Sequence, residues 1–328
     1  MNDEIKKSYS AAGVLPVKVL LHDRLIQKMR REGKIMPIHI QLCPTNKCNL
    51  NCAFCSCSER DKSLELSYDD IDEIMTKAKR CGCESVTITG GGEPIMHPDI
   101  NRILARMAQL HIEVGMVTNG YLLGKMKSED LKRIRWIRIS MSDDREMNDN
   151  FRGVLSSAIL RDNDVDWSFS YVLTRSPNYD LIEEVIRFAN ENRFTHIRIV
   201  SDILDLDDVP DMGEVKREME ERGVNDRIVI YQSRKEYGSG NKKCLISLLK
   251  PTVAADGYLY PCCGVQYALE KPRRDFEPSC RIGLAKNIDR LYESQRHFDG
   301  SVCKVCYYTD YNWILNLLTS DIKHEKFL

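Results

Sequence analysis

Apolar positions in this chain of 328 residues fall into short β-branched runs that alternate with longer stretches of helical period. IHIQL (38–42), SVTIT (85–89), VGMVT (114–118), RWIRISM (135–141), WSFSYVLT (167–174) and HIRIVS (196–201) read as strands. Helical spacing covers HDRLIQKMRREGK (22–34), LSYDDIDEIMTKAKRCG (66–82), DINRILARMAQL (99–110) and LIEEVIRFANEN (181–192), with shorter or weaker helices at 127–133 and 151–160. Ser67 is the expected N-cap of the second of these, with acidic residues in its first turn and Gly82 at its end. Strand and helix in alternation mean parallel strands joined by crossovers.

Six such strands are too few to close an eight-stranded barrel. The expected fold is α/β, a partial (β/α)6 barrel with a lateral opening and with its ligands at the C-terminal strand ends. A loop containing Cys48, the glycine loop at 90–92, Asn119 and Ser140 all fall at or just after such ends. Residues 1–35 form a helical extension and 36–235 the barrel. Residues 202–243, within which the boundary falls, read as a connector with a helix (213–222) and a strand (RIVIYQ, 227–232). Residues 236–328 form a small auxiliary domain, a β-hairpin through VAADGYLYPCC with Gly257 in its turn, then a terminal helix from WILNLLTSDIKHEKFL.

Charge changes little in this picture. A formal net charge of -1 gives no general attraction to nucleic acid or to anionic membrane, and KMRREGK and EKPRR are short enough to be solvated loops. No run approaches the roughly 20 apolar residues of a membrane span. MNDEIKKSYS lacks the apolar core of an export signal, so a cytoplasmic location is expected.

Cysteine changes the picture. There are 13, with none between Cys83 and Cys244, so two separate sites are expected and a disulfide scaffold is not. In CNLNCAFC, Cys48, Cys52 and Cys55 supply three thiolates at spacings of four and three. They suit a cubane cluster with one iron left open, or a zinc knuckle borrowing Cys43 or Cys57. Downstream, Cys244, Cys262, Cys303 and Cys306 suit either a closed zinc site or a four-cysteine iron–sulfur cluster.

With Phe54 just before the third cysteine and the loop Gly91-Gly92-Glu93-Pro94 after the second strand, the chain resembles the radical S-adenosylmethionine (SAM) superfamily. The resemblance implies a [4Fe-4S] cluster on Cys48, Cys52 and Cys55, its open iron chelated by the methionine amino and carboxylate groups of SAM. It places Phe54 near the adenine, the GGEP loop at the amino group, Asn119 and Ser140 at ribose and carboxylate, and Arg198 at a cofactor or substrate carboxylate. The reaction implied is reductive cleavage of SAM to a 5'-deoxyadenosyl radical, which takes hydrogen from a substrate. A flavodoxin or ferredoxin would supply the electron.

The spacing Cys244-x12-Gly257-x4-Cys262 with a distant Cys303-x2-Cys306 is similar to the twitch domain, a shortened SPASM domain. It implies one auxiliary [4Fe-4S] cluster that accepts an electron from the substrate radical. Residues 1–35 are too short for the recognition domain common in peptide-modifying relatives. The expected activity is therefore oxidation of a small-molecule, sugar-like or nucleotide-linked substrate. A peptide-modifying enzyme and a non-enzymatic iron–sulfur or zinc scaffold are the alternatives. Cys263 and Cys280 are candidate alternative ligands or thiols, while Cys43, Cys57, Cys81 and Cys83 read as small buried hydrophobes. Asp143, Asp144 and Arg145 are candidate substrate contacts. Tyr307, Tyr308, Tyr311 and Trp313 read as packing or pocket lining.

Overall fold

A computed structural model describes residues 17–145, 153, 164–234, 238–268, 274–321 and 323. The N-terminal residues 1–16, most of the weak helix expected at 151–160 and the last five residues lie outside the described residues.

Each of the six expected strands forms: β1 (His39–Leu42), β2 (Ser85–Ile88), β3 (Glu113–Thr118), β4 (Ile134–Ser142), β5 (Asp166–Leu173) and β6 (His196–Ser201). They pair in chain order, all parallel. The strand assigned to the connector joins them as β7 (Val229–Gln232), parallel to β6. At the opposite edge β8 (Thr252–Val253) lies parallel to β1, and β9 (Tyr258–Tyr260) and β10 (Gly283–Leu284) continue the sheet antiparallel. The auxiliary hairpin is thus an extension of the barrel sheet, turning at Gly257 with φ of 81°.

The helices longer than four residues are α1 (Asp23–Glu32), α2 (Tyr68–Cys81), α3 (Ile100–Gln109), α4 (Tyr179–Glu191), α5 (Met212–Glu221), α6 (Ile288–Glu293) and α7 (Thr309–Thr319). Local chemistry sets the ends of α2. Ser67 Oγ accepts from Asp70 N at 3.1 Å, and Gly82 closes the helix at a φ of 114°. Ile71, Ile74, Met75 and Ala78 form its buried stripe. Burying the larger of these stabilises the fold by roughly 1.5–3 kcal/mol per side chain.

One face of the sheet is apolar and helix-covered. Ile137, Ile139 and Met141 on β4, Phe169 and Tyr171 on β5, and Ile197 and Ile199 on β6 are fully buried there. Helix α3 packs on β3, α4 on β5 and β6, and α5 on β7. Alternation turns the other residues inward, and that face is polar: His39, Gln41, Thr87, Arg138, Ser140, Ser168, Ser170, His196 and Arg198. A parallel sheet covered on one face and polar on the other marks a ligand-lined interior. The core continues without a break into Leu245, Leu249, Leu259, Ile288 and Leu315 of the C-terminal segment.

Candidate radical cofactor site and auxiliary cysteine pocket

The cysteine loop leaves β1 and is clamped to the glycine loop. Gly92 N donates to Thr45 O (3.1 Å) and Glu93 N to Lys47 O (2.8 Å). A Cβ on Gly92 would stand 2.0 Å from Lys47 O, and one on Gly91 only 1.9 Å from Asn46 Oδ1. Gly92 is needed because the two loops touch backbone to backbone there, and Gly91 because the Asn46 and Arg60 side chains pack against it.

Glu93 is buried and its carboxylate is fully engaged. Oε1 accepts from Ile95 N (3.1 Å) and Thr118 Oγ1 (2.7 Å), and Oε2 from Asn119 N (2.7 Å). It caps the short turn Pro94–Met96 and ties the end of β2 to the end of β3. Burial raises its pKa, against the pull of these donors. Asn119 in turn reaches the cysteine loop, with Nδ2 donating to Asn49 Oδ1 at 2.8 Å. Arg145 clasps the same rim through Asn119 O (2.7 Å) and the carbonyl of Ser140. Asp143 is consumed by structure, accepting from Tyr171 Oη, Thr174 N and Oγ1, and Asn178 N.

Cys48, Cys52 and Cys55 are half-buried in this loop, and Phe54 beside them is half-buried as well. Backbone N–H groups point at the sulfurs: Leu50 N to Cys48 Sγ at 3.5 Å and Cys57 N to Cys55 Sγ at 3.3 Å. At Cys55 the side chain of Cys57 and burial outweigh the Cys57 N–H and hold the thiol above its ordinary pKa.

The C-terminal cysteines come from three separate places, Cys303 and Cys306 sharing one turn. Cys244 follows a segment bonded to residues 298–306, with Cys244 N donating to Phe298 O (3.0 Å), Gly240 N to Cys303 O (2.9 Å) and Cys306 N to Gly238 O (2.7 Å). Cys262 follows β9. Asn312 of α7, fully buried, accepts from Leu245 N (2.6 Å) and Ile246 N (3.0 Å) and so fixes the turn after Cys244. One pocket is lined by Cys244, Cys262, Cys303 and Cys306 together, with Tyr307 and Asn312. Burial pushes the Cys244 thiol up to about 11 and Cys303 to about 12, and Cys262 rises too, each helped by its neighbouring sulfurs. A bound cation would offset the burial that raises Cys244, Cys262 and Cys303. Cys280 lies buried in a separate cluster with Tyr260 and Phe276, and Cys263 Sγ meets Tyr308 Oη at 3.4 Å. Trp313 is exposed on α7.

Among the described residues, no three Cys, His, Asp or Glu side chains stand converged as a metal-ligand set. Donor type and placement nevertheless fit: three half-buried thiols on one loop, and four facing one enclosed pocket.

The two regions are bolted together by residues that sequence reasoning passed over. Buried Arg60 donates through Nη2 to Gln266 Oε1 (2.7 Å) and Nε to Arg274 O (3.3 Å), with its guanidinium 4.4 Å from the Phe276 ring centroid. Asn46 Nδ2 donates to Asp275 Oδ1 at 3.1 Å, and Asp61 N to Asp275 Oδ2 at 3.0 Å. Each pair is over 200 residues apart in sequence, so only the fold reveals it.

Residues 42–144 match the Radical SAM superfamily. That segment of the chain is a radical SAM domain. It is 34% identical to the GTP 3',8-cyclase of Geobacter sulfurreducens over 122 residues, covering 35% of this chain and 37% of that protein's own length. With the GTP 3',8-cyclase of Helicobacter pylori it is 25% identical over 290 residues, covering 83% and 81%. In fold it is similar to Streptococcus suis SuiB bound to precursor peptide SuiA (TM-score 0.58, 19% identity, 94% of this chain and 80% of that one). It is also similar to anSMEcpe with bound AdoMet and Cp18Cys peptide (TM-score 0.55, 12% identity, 89% and 86%). Among the described residues no helix is long and apolar enough to cross a membrane.

Proposed function

We propose that this chain cleaves SAM reductively at a [4Fe-4S] cluster on Cys48, Cys52 and Cys55, and oxidises a small-molecule, sugar-like or nucleotide-linked substrate. A second [4Fe-4S] cluster on Cys244, Cys262, Cys303 and Cys306 is the electron acceptor. The observation that carries the two-centre reading is the single pocket onto which four cysteines from distant segments open.

When bound, the cofactor and its cluster supply one-electron cleavage of a carbon–sulfur bond and hence a hydrogen-abstracting radical. This chain's residues do the rest. The cysteine loop holds the cluster at the mouth of the barrel, in the 36–235 domain. The backbone of Gly91 and Gly92, fixed by the Glu93 carboxylate and Pro94, frames the cofactor's amino end. Phe54, Asn119 and Ser140 line its adenosyl side, and Arg198 faces the interior where the substrate enters. Cys244 and its three partners, in the 236–328 domain, present only sulfur to their metal. That suits electron transfer better than substrate binding. The electron donor is a flavodoxin or ferredoxin.

Similarity over most of the chain to a protein named for GTP supports a small, nucleotide-like substrate. A peptide is the second reading, favoured by the fold likeness to SuiB in complex with a precursor peptide.

Anaerobic reconstitution with iron, sulfide, dithionite and SAM tests the proposal. 5'-Deoxyadenosine should form, with about eight irons per chain, as two four-iron clusters require. Absence of 5'-deoxyadenosine in protein carrying reduced clusters would refute it.

A further inference from the structure

The inward face of the barrel carries charge that the cysteine sites do not use. Register places Val117, Arg138, Ser168 and His196 side by side on β3 to β6, and Ser140, Ser170, Arg198 and Ile230 one inward position further along β4 to β7. Arg138 and Arg198 therefore flank β5, where the residues between them are serines. Strands two apart stand about 10 Å from each other. With only Ser168 and Ser170 in between, the two guanidinium groups border a notch.

The floor of the notch is aromatic. Trp136 lies so close over Gly115 that a Cβ there would be 2.1 Å from the indole ring, and the Arg138 guanidinium is 5.2 Å from the Trp136 centroid. Arg138 Nε is buried and finds no acceptor among the described residues. Arg198 points the same way, donating through Nε (3.2 Å) and Nη2 (2.8 Å) to Gln232 Oε1.

Lys250, just before β8, adds a third cation. Its ammonium lies 5.6 Å from the Tyr308 centroid, and both arginines act on it electrostatically. Cys262 and Cys263 act on it as well.

No inward position of β3 to β7 from Gly115, Trp136 and Ser168 onward is a carboxylate. Glu113 and Asp166 are exposed at the strand starts, and Glu113 is paired with Arg135 at 3.2 Å. The imidazoles are held neutral. His39 is fixed by Ser85 Oγ (2.8 Å) and Thr87 Oγ1 (3.1 Å), and burial with nearby cations drives its pKa well below 6.5. Burial, then Arg198, lowers Arg138 to about 9. Like charges gathered in a low-dielectric interior oppose folding unless an opposite charge joins them.

We propose that Arg138 and Arg198, over the Trp136 floor and with Lys250 beside them, form a subsite for an anionic group of the substrate, a phosphate or a carboxylate. It deepens the reading of the barrel interior as the substrate chamber and rests on it. Two planar guanidiniums match the oxygens of either group. Arg138 stands one inward position deeper than Ser140, below the rim where the cofactor is placed, so the anion belongs to the substrate end of the chamber.

The test uses the reconstituted full chain with SAM saturating throughout, so that the cofactor's own carboxylate is not the ligand titrated. Pyrophosphate is the phosphate probe and citrate the carboxylate probe, followed by calorimetry and thermal unfolding. At least one should bind and raise the melting temperature, and whichever binds more tightly identifies the group. Arg138→Met and Arg198→Met should each weaken that binding by at least about tenfold, while Arg135→Gln at the exposed start of β4 should not. Without probe, Arg138→Met should melt at or above the wild-type temperature, because an unpaired buried charge has gone. Binding of neither probe, equal binding by the Met variants, or a lower melting point for Arg138→Met would overturn the subsite. 5'-Deoxyadenosine formation by the wild type is scored separately. Its loss with anion binding intact would remove the radical reading and leave the subsite.

Discussion

The two cysteine groups are built in opposite ways. Cys48, Cys52 and Cys55 share one loop of eight residues, are half-buried, and depend for position on the backbone bonds that clamp that loop to Gly92 and Glu93. Cys244, Cys262, Cys303 and Cys306 are gathered from segments up to 62 residues apart and face inward to a pocket next to the core. A local loop with three thiols leaves a metal coordination position for a ligand from outside. A pocket closed by four does not, and it makes the metal part of the fold.

The largest expected effects test that contrast directly. Replacing Cys48, Cys52 and Cys55 together by Ala should reduce 5'-deoxyadenosine to the background of the protein-free reaction. The variant should keep about four irons and lose only a few degrees of melting temperature. The pair Cys303→Ala and Cys306→Ala should do the reverse, losing about four irons and melting well below the wild type, since its metal closes long loops. Iron analysis and thermal unfolding of anaerobic samples check both. If the triple variant holds no iron, the two sites are not independent.

How much of this was legible in the sequence follows the same contrast. The triad and the GGEP loop are contiguous motifs, and the strands before them are β-branched runs of period two, so site and barrel could be placed together. RIVIYQ reads as a strand, but nothing local says that Val229 to Gln232 pair with β6 instead of lying in a connector. Glu93 was readable as a strand-end carboxylate. Its three donors, Ile95 after β2 and Thr118 and Asn119 at the end of β3, come together only when β2 and β3 pair. Arg138 was hidden differently. In RWIRISM it reads as a polar position of a strand, and only register with Ser168 and Arg198 makes it part of a cluster.

Arg60 gives the next effect, because it joins the two regions. Arg60→Ala removes a charge-assisted bond to Gln266, a second to Arg274 O and the contact with Phe276, all in a buried site. Bonds of that kind contribute about 1.5–3 kcal/mol each, so a total near 3 kcal/mol is expected in urea unfolding. Gln266→Leu should cost at least as much relative to its size, since it strands the buried guanidinium. A loss below about 0.5 kcal/mol for Arg60→Ala would show that the regions hold together without this bolt, as an exposed substitution would.

The smallest effect comes from the interior between the two regions. His196 is buried, with Nδ1 against Thr195 Oγ1 at 3.0 Å. Burial first, then Arg138, Arg198 and Lys18, lowers its pKa to about 3 from 6.5. The unfolded chain therefore binds a proton between those values that the folded chain refuses. The neutral imidazole's contribution is complete above pH 6.5 and is lost as pH falls toward 3, at about 1.4 kcal/mol per pH unit at most. His196→Gln should flatten the fall in unfolding free energy between pH 6.5 and 5 by about one proton, measured as the difference from wild type in urea titrations. His39 is shifted in the same direction and should keep a residual slope in the variant. Arg138→Met removes the neighbouring cation that acts most strongly on His196, so the fall should end at a higher pH than in the wild type, read below pH 5. An unchanged slope in His196→Gln would mean that the folded chain protonates this imidazole as readily as the unfolded chain does.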